Sequence, residues 1–395
     1  ILSPLDNIKI LDLSRLAAGN MVSHMLADFG ADVVKVEKPG KGDDLRNWKI
    51  NGVSHWWAVY SRNKRSISIN LKKDEGLDLL KELVKNADVF IENFLPGTLE
   101  KWGIGPQQLN KLNKNLIILR ISGWGQTGIF KNAPGFGSLV EGMSGFAAMT
   151  GEENQAPLLP PLALADMVAG LTGFGAILMA ILASKKNNTG GQVIDLSLFE
   201  PFFSILGPWA ASYKISGKVP ERIGNRSNVA APRGIYKTKD NKYVSLSASM
   251  QSMWEKLALT IGSSDLIKDP RFLTNSDRLN NQDDLDKPIS KFIKKYNREE
   301  VLNIFSKEGI TVGPVLDISE IIEHPYIHDR EVLIDHFNKE YGNVLMHQAF
   351  PRLSKTPGKI RNSAPALGDD TNVVLKEIGL SDKQIQMLRK NKIIN

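Results

Sequence analysis

The stretch "PLLPPLALADMVAGLTGFGAILMAILAS", residues 157–184, carries one charged side chain, Asp166, where a proline-rich approach meets a long apolar run. Two readings of that carboxylate are open. It can cap the helix that the apolar run predicts, accepting first-turn N–H groups for about 1 kcal/mol, with help from the helix dipole. Or it can do chemistry. A carboxylate among apolar neighbours is costly unless something uses or pairs it, and one kept ionised at a helix start can serve as a nucleophile. Other reactive types are sparse. The chain has no cysteine, which excludes disulfides, a thiolate nucleophile and thiolate metal sites and fits a reducing, cytoplasmic setting. Its six histidines are scattered, and none forms the i, i+4 pair with an intervening glutamate that a zinc hydrolase would show, so no metal site is expected. Cations cluster in "SRNKRS" (Arg62, Lys64, Arg65), with Lys35 and Lys38 flanking the turn after the second strand. They read either as solvated surface charge or as a phosphate-binding anion site near strand ends.

Composition narrows the classes. A chain of 395 residues with 42% hydrophobic and 24% charged residues is globular and long enough for two or three domain-sized cores. Fifty Lys and Arg against 43 Asp and Glu give a net charge of +7. The basic residues are spread along the chain, so no nucleic-acid partner is expected and a phosphorylated small ligand fits better. Residues 167–183 approach the ~20 apolar residues that span a bilayer. Gly170, Thr172, Gly173 and Gly175 dilute that run, which therefore reads as a buried core helix with no membrane partner. The opening "ILSPLDNIKILDLS" lacks the charged-then-apolar pattern of a secretory signal.

The elements that must position these residues alternate. "IKILDLS", "ADVVKVEKPG", "SRNKRSISINL", "DVFIENFLPG" and "LIILRIS" read as strands, with "NMVSHMLADFG", "KKDEGLDLLKELVKNA" and "PQQLNKLNKN" as helices between them. That order predicts an α/β fold with a mostly parallel sheet covered on both faces. Ligands then belong beyond the carboxyl ends of the strands, here "LSRLAAGN", "EKPGKGDD", "ENFLPG" and "SGWGQTG". None of these is a GxGxxG or GxxxxGK[ST] loop, which argues against dinucleotide-dependent and nucleotide-hydrolysing chemistry. Residues 1–200 read as the first part of a large Rossmann-like domain and 201–224 as a linker. Residues 225–325 read as a small α/β domain, with a strand pair around "KTKDNK", and 326–395 as a linker returning to the large domain.

Five blocks in order and spacing carry a family resemblance: "ILDLSRLAAGNMVSHMLADFGADVVKVEKPGKGDDLR", "NKRSISINLKKDEG", "ADVFIENFLPGTLEKWGI", "ISGWGQTG" and "ALADMVAGLTGFGAILMAI". They resemble the class III CoA-transferases of the CaiB/BaiF family, across nearly the whole chain. The resemblance implies an interlocked homodimer. It also implies that Asp166 is the catalytic residue, forming first an aspartyl–acyl anhydride and then an aspartyl–CoA thioester. Coenzyme A and its acyl esters would be substrates beside a carboxylic acid acceptor, with no permanently bound cofactor. The implied CoA contacts are Arg15, Ala17 and Ala18 in the first loop, Lys38 in the Pro-Gly turn and Leu71 beside the adenine. Asn93, Phe94 and Lys101 follow the "ENF" strand, and Phe136 stands in "APGFGS". Ala17 replaces a glutamine of some transferases, and the glycine-rich loop of formyl-CoA transferase is replaced by "RSNVAAPRG". The racemases of the family use a histidine where Phe136 stands, and a phenylalanine cannot carry a proton. Succinyl-CoA with a short dicarboxylate is the expected substrate pair, with Arg15, Arg46, Arg226 and Arg233 as acceptor-side candidates. A racemase-like enzyme and a non-catalytic CoA-ester binder are the alternatives.

Overall fold

The structure, a computed structural model, describes residues 3–395. Six short strands form one parallel sheet: β1 (Lys9–Asp12), β2 (Asp32–Glu37), β3 (Lys64–Ser68), β4 (Val89–Glu92), β5 (Ile117–Ser122) and β6 (Val193–Ser197). Their order is β3-β2-β1-β4-β5-β6. The four inner strands, β2, β1, β4 and β5, are buried on both faces, as parallel strands covered on both sides are. Alternate residues therefore serve two cores. Val89, Ile91, Leu119 and Ile121 join Val22, Leu26 and Ile177 on one face, while Phe90 and Ile118 join Leu80, Val84 and Leu109 on the other. The order reverses between β1 and β4, and the crevice beyond their carboxyl ends is where such sheets bind ligands.

The chain divides into two compact units. The first holds the described residues up to Phe146, Leu159–Pro208 and His328–Asn395; the second holds Ala147–Leu158 and Trp209–Ile327. This differs from the boundaries read in the sequence. Residues 209–224 are not a free linker: Trp209–Ser216 is helical, and Arg222 donates to the carbonyls of Ala148, Glu152 and Glu153, tying that stretch to an earlier loop. The second unit packs Trp254, Phe272 and Phe305 against an antiparallel sheet of Arg233–Lys237, Tyr243–Ser247 and Val312–Pro314. In the first unit the tail contributes Val374, Leu375 and Ile385 to the second sheet-face core.

The long apolar helix, Leu164–Asn187, departs from its expected full burial. One face lies against helix Leu16–Asp28, so close that a Cβ on Gly170 would fall 2.6 Å from the Met21 Cβ and one on Gly173 would fall 2.8 Å from Val22. The glycines that dilute its hydrophobicity are what admit its neighbour. The opposite face leaves Leu171, Met179 and Leu182 exposed.

The basic cluster also departs from both of its readings. Arg62 is buried on the Asp28 carboxylate at 2.6 Å, and Lys64 is buried 3.7 Å from Asp12. Arg65 pairs with Asp32 and Glu377. β3 and the turn before it bury Lys64 and Arg62, and leave Arg65 half-buried, each beside acidic residues of neighbouring elements.

Beside Arg62, His24 is fully buried, its ring edge-on to Tyr60 and His347, and neither ring nitrogen has a hydrogen-bond partner. Burial first, then the Arg62 charge, hold its pKa well below the ordinary value. The unfolded chain thus binds a proton that the folded chain refuses, and stability falls as pH drops below about 6.5. We expect the stability gap between wild type and His24→Leu to move in the variant's favour by about 1.4 kcal/mol from pH 7.5 to 5.5, measured by denaturant melts. A gap independent of pH would show that His24 titrates in the fold.

Candidate active site

The switch point is pinned by a reciprocal pair. The Arg15 N–H donates to Asn93 Oδ1 at 2.8 Å, and Asn93 Nδ2 donates to the Arg15 carbonyl at 2.7 Å. The loops after β1 and β4 are thereby joined across the reversal. Leu16, the next residue, holds φ +62°, a region that non-glycine residues enter at a cost of about 1–3 kcal/mol. Asp43 holds it there by accepting the Leu16 N–H at 2.9 Å. Asp43 in turn lies 3.0 Å from buried Lys35, whose charge keeps the Asp43 pKa below the usual carboxylate range against the cost of burial.

Two cavities open on either side of Arg15 and Phe94. The first, of about 310 Å³, is lined by Arg15, Ala18, Asn93, Phe94, Phe136 and Asp166 among others. The second, of about 360 Å³, has apolar walls of Val36, Ile69, Leu71 and Trp102, with Lys38, Lys41 and Lys72 at its edge.

Asp166 lies in the first turn of its helix, yet it is not the cap. Residue Ala163 stands at the N-cap with no side-chain hydrogen bond, and the Ala165 N–H donates to buried Glu141. One oxygen of Asp166 rests against Gly137, so close that a Cβ there would fall 2.3 Å from Oδ2. Burial, then the Glu141 charge, push the Asp166 carboxyl up to about 6. It is ionised at neutral pH but more basic than a solvated aspartate, as suits a nucleophile.

Of the residues expected in the site, Arg15, Ala18, Asn93, Phe94, Phe136 and Asp166 share the first cavity, and Lys38 and Leu71 the second, which Arg15 and Phe94 also reach. Ala17 is buried and lines neither, its side chain spent on packing. Lys101, exposed on the short helix Thr98–Lys101, lines neither as well. Two acceptor-side candidates are otherwise engaged. Arg46 clasps Glu37 and lies 3.6 Å over the Trp57 ring, while Arg226 pairs with Asp283 and Asp286 in the second unit. Sequence reasoning missed Gly137, Glu141, Lys41, Lys72 and Lys131, the last a basic group lining the Asp166 cavity. For Glu141 the signal was a lone carboxylate in the otherwise uncharged "SLVEGMSG".

The sheet order and the paired cavities meet a family match. The model described as CoA-transferase family III matches residues 5–371. Succinyl-CoA–D-citramalate CoA-transferase of Chloroflexus aurantiacus is 35% identical over 396 residues, covering 99% of this chain and 98% of that protein. Human succinyl-CoA:glutarate CoA-transferase is 31% identical, covering 95% of this chain and 86% of its own. A crystal structure of a CaiB/BaiF family protein from Brucella suis superposes with a TM-score of 0.85 at 32% identity, covering 96% of this chain and 100% of that one. The chain belongs to CoA-transferase family III and is a CoA-transferase.

Two outcomes test the geometry around Asp166. Gly137→Ala should fold normally yet lose activity on the order of 10²-fold, because its new methyl displaces the carboxylate; near wild-type turnover would show that Asp166 is not held there for chemistry. Because the attacking form is the anion, its reaction with acyl-CoA should fall below pH about 6, approaching tenfold per pH unit. A pH-rate profile flat to pH 5 would contradict that assignment.

Proposed function

We propose that this enzyme moves CoA from succinyl-CoA to a short dicarboxylic acid through covalent intermediates on Asp166. The observation that carries the proposal is an uncapped carboxylate of raised basicity in a cavity beside the strand-order reversal. Its oxygen attacks the thioester carbonyl, the new C–O bond forming as the C–S bond breaks, and the negative charge leaves with the CoA thiolate. The thiolate then attacks the aspartyl carbonyl of the anhydride, and succinate departs as the carboxylate. The acceptor repeats both steps in reverse and restores the Asp166 anion. The carboxylate thereby splits one difficult exchange into easier ones.

The second cavity suits the nucleotide end of CoA. Its apolar walls around Leu71 fit an adenine, and Lys38, Lys41 and Lys72 supply charge for phosphates. Arg15 and Lys131 are the cations lining the Asp166 cavity, and they suit the distal carboxylate of a dicarboxylic acceptor. The relatives named for citramalate and glutarate support the same class. A homodimer is part of this reading. Leu171, Met179 and Leu182 on the long helix, and Phe136, Leu139 and Met143 around the short helix Gly137–Met143, are exposed apolar side chains that a partner copy could cover.

Incubation with succinyl-CoA followed by borohydride or hydroxylamine should modify only the peptide containing Asp166, as read by mass spectrometry. Asp166→Ala should form no adduct and lose turnover by at least on the order of 10³-fold. Among acceptors, dicarboxylates should react and formate or carnitine should not; the reverse preference would remove the dicarboxylate assignment. α-Proton exchange without any adduct would favour a racemase-like enzyme instead. Light scattering should give a dimer, and a monomer would exclude it.

A further inference from the structure

Two carboxylates meet at the start of the Leu164–Asn187 helix: Glu141 takes the Ala165 N–H, and Asp166 is left with its own. Glu141 reaches across from the short helix Gly137–Met143 and accepts the Ala165 N–H at 3.0 Å. It is 3% exposed, and its partner is a backbone N–H rather than a cation. Asp166, one residue further on, is left uncapped and facing the cavity. Since an N-cap acceptor at this end would ordinarily settle an aspartate into a low-energy, poorly reactive state, the choice of glutamate over aspartate for that bond has consequences for the nucleophile.

The remaining titratable groups around the helix are engaged elsewhere. His24 and Asp28 lie in the cluster with Arg62. Arg120 is divided between Glu92 and Glu100, Asp195 accepts from the Gln126 N–H, and Glu200 accepts from Ser197. In the cavity itself, Arg15 lies 3.7 Å from Asp44, and Lys131 is the other charge on the wall. Glu141 is therefore the negative neighbour that Asp166 feels most, which agrees with the direction of its pKa.

We propose that Glu141 is a positioning residue for CoA transfer: by occupying the helix N–H with its own charge it keeps Asp166 uncapped and repelled, which favours attack on the thioester. The balance of the step explains why. Before attack the site holds two negative carboxylates. Once the C–O bond forms and the C–S bond breaks, Asp166 is a neutral anhydride and the charge has moved to the departing thiolate. Repulsion from Glu141 is thus present in the resting state and relieved on acylation, a ground-state effect with a named geometric source.

The proposal rests on Asp166 as the nucleophile, and the experiment separates the two claims. Single-turnover adduct formation from succinyl-CoA is measured against pH for wild type, Glu141→Gln, Glu141→Asp and Asp166→Ala, with melting temperatures and KM recorded. Glu141→Gln keeps an oxygen that can accept the Ala165 N–H but loses the charge. Its acid limb should move down by about one pH unit, and its plateau rate should fall on the order of tenfold. KM should stay within about twofold. Glu141→Asp should return the limb toward the wild-type position, because it keeps the charge. An unmoved limb in Glu141→Gln, or rate losses that merely follow the melting temperature, would overturn the role of Glu141 while leaving Asp166 as nucleophile. An adduct that persists in Asp166→Ala would overturn the nucleophile assignment and this proposal with it.

Discussion

Two lysines without access to water, Lys35 and Lys64, hold together the strand ends on which the site is built. Lys35 lies 3.2 Å from Asp12 and 3.0 Å from Asp43, and Lys64 donates to Asn20 Oδ1 at 2.8 Å beside Asp12. Burial alone would pull both ammonium groups toward neutrality. For Lys64 it succeeds in part, lowering the pKa to about 7, whereas Asp12 and Asp43 raise that of Lys35. Such an arrangement is weak as a source of net stability, yet removing one member strands a buried charge and costs about 3–5 kcal/mol. Its value lies in what it fixes. β1, β2 and β3 are locked in position by side chains that tolerate little displacement, and Asp43 passes that constraint to the Leu16 N–H.

The constraint is transmitted outward to the cavities. Leu16 keeps a left-handed backbone because Asp43 receives its N–H, and Arg15 is bound through its own backbone to Asn93. A loop on one side of the order reversal thus cannot move without the other. Glu92, at the end of β4, is paired with Arg120 and also accepts the Phe94 N–H, which secures the second loop from beneath. Phe94, Arg15 and Asp44 form the wall common to both cavities, with the Arg15 guanidinium 5.4 Å from the Phe94 ring centre. A long ligand reaching from one cavity to the other would meet a surface whose shape is set by buried ion pairs rather than by loop flexibility, which suits a substrate whose reactive carbon must arrive at one oxygen atom.

Much of this was legible from the sequence, and the part that was not shares a cause. Alternating apolar strands and amphipathic helices announce a parallel α/β sheet, because period and punctuation are local properties. Asp166 was visible because its surroundings are apolar for many residues on both sides. The fate of Arg62 and Lys64 was hidden, since a basic side chain reads as surface until its acidic partners, Asp28 and Asp12, are known to lie beside it in space. The same holds for Arg46 and Arg226, which are attractive ligands until Glu37 and Asp286 claim them. The second unit's recruitment of residues 147–158 was equally invisible, resting on Arg222 and backbone carbonyls with no sequence signature. Charge pairing over long separations is what a linear reading cannot supply.

Two opposing influences act on Asp166, and their balance fits a reversible transfer. Its place in a first helical turn, with its own N–H nearby, favours the anion, while burial and the Glu141 charge oppose it. A carboxylate fully stabilised by a helix start would be a poor nucleophile and a ready leaving group. One raised far above neutrality would be protonated and inert. In the proposed route the same carboxyl group must attack a thioester in one half-reaction and leave the acceptor's anhydride in the other, its attacking oxygen departing in succinate and being replaced from the acceptor, so neither extreme serves. A pKa near 6, close enough to ordinary carboxylic acids for an anhydride to break on either side, lets one residue act in both directions. Gly137 completes the arrangement by leaving room for that oxygen where any larger side chain would occupy its place.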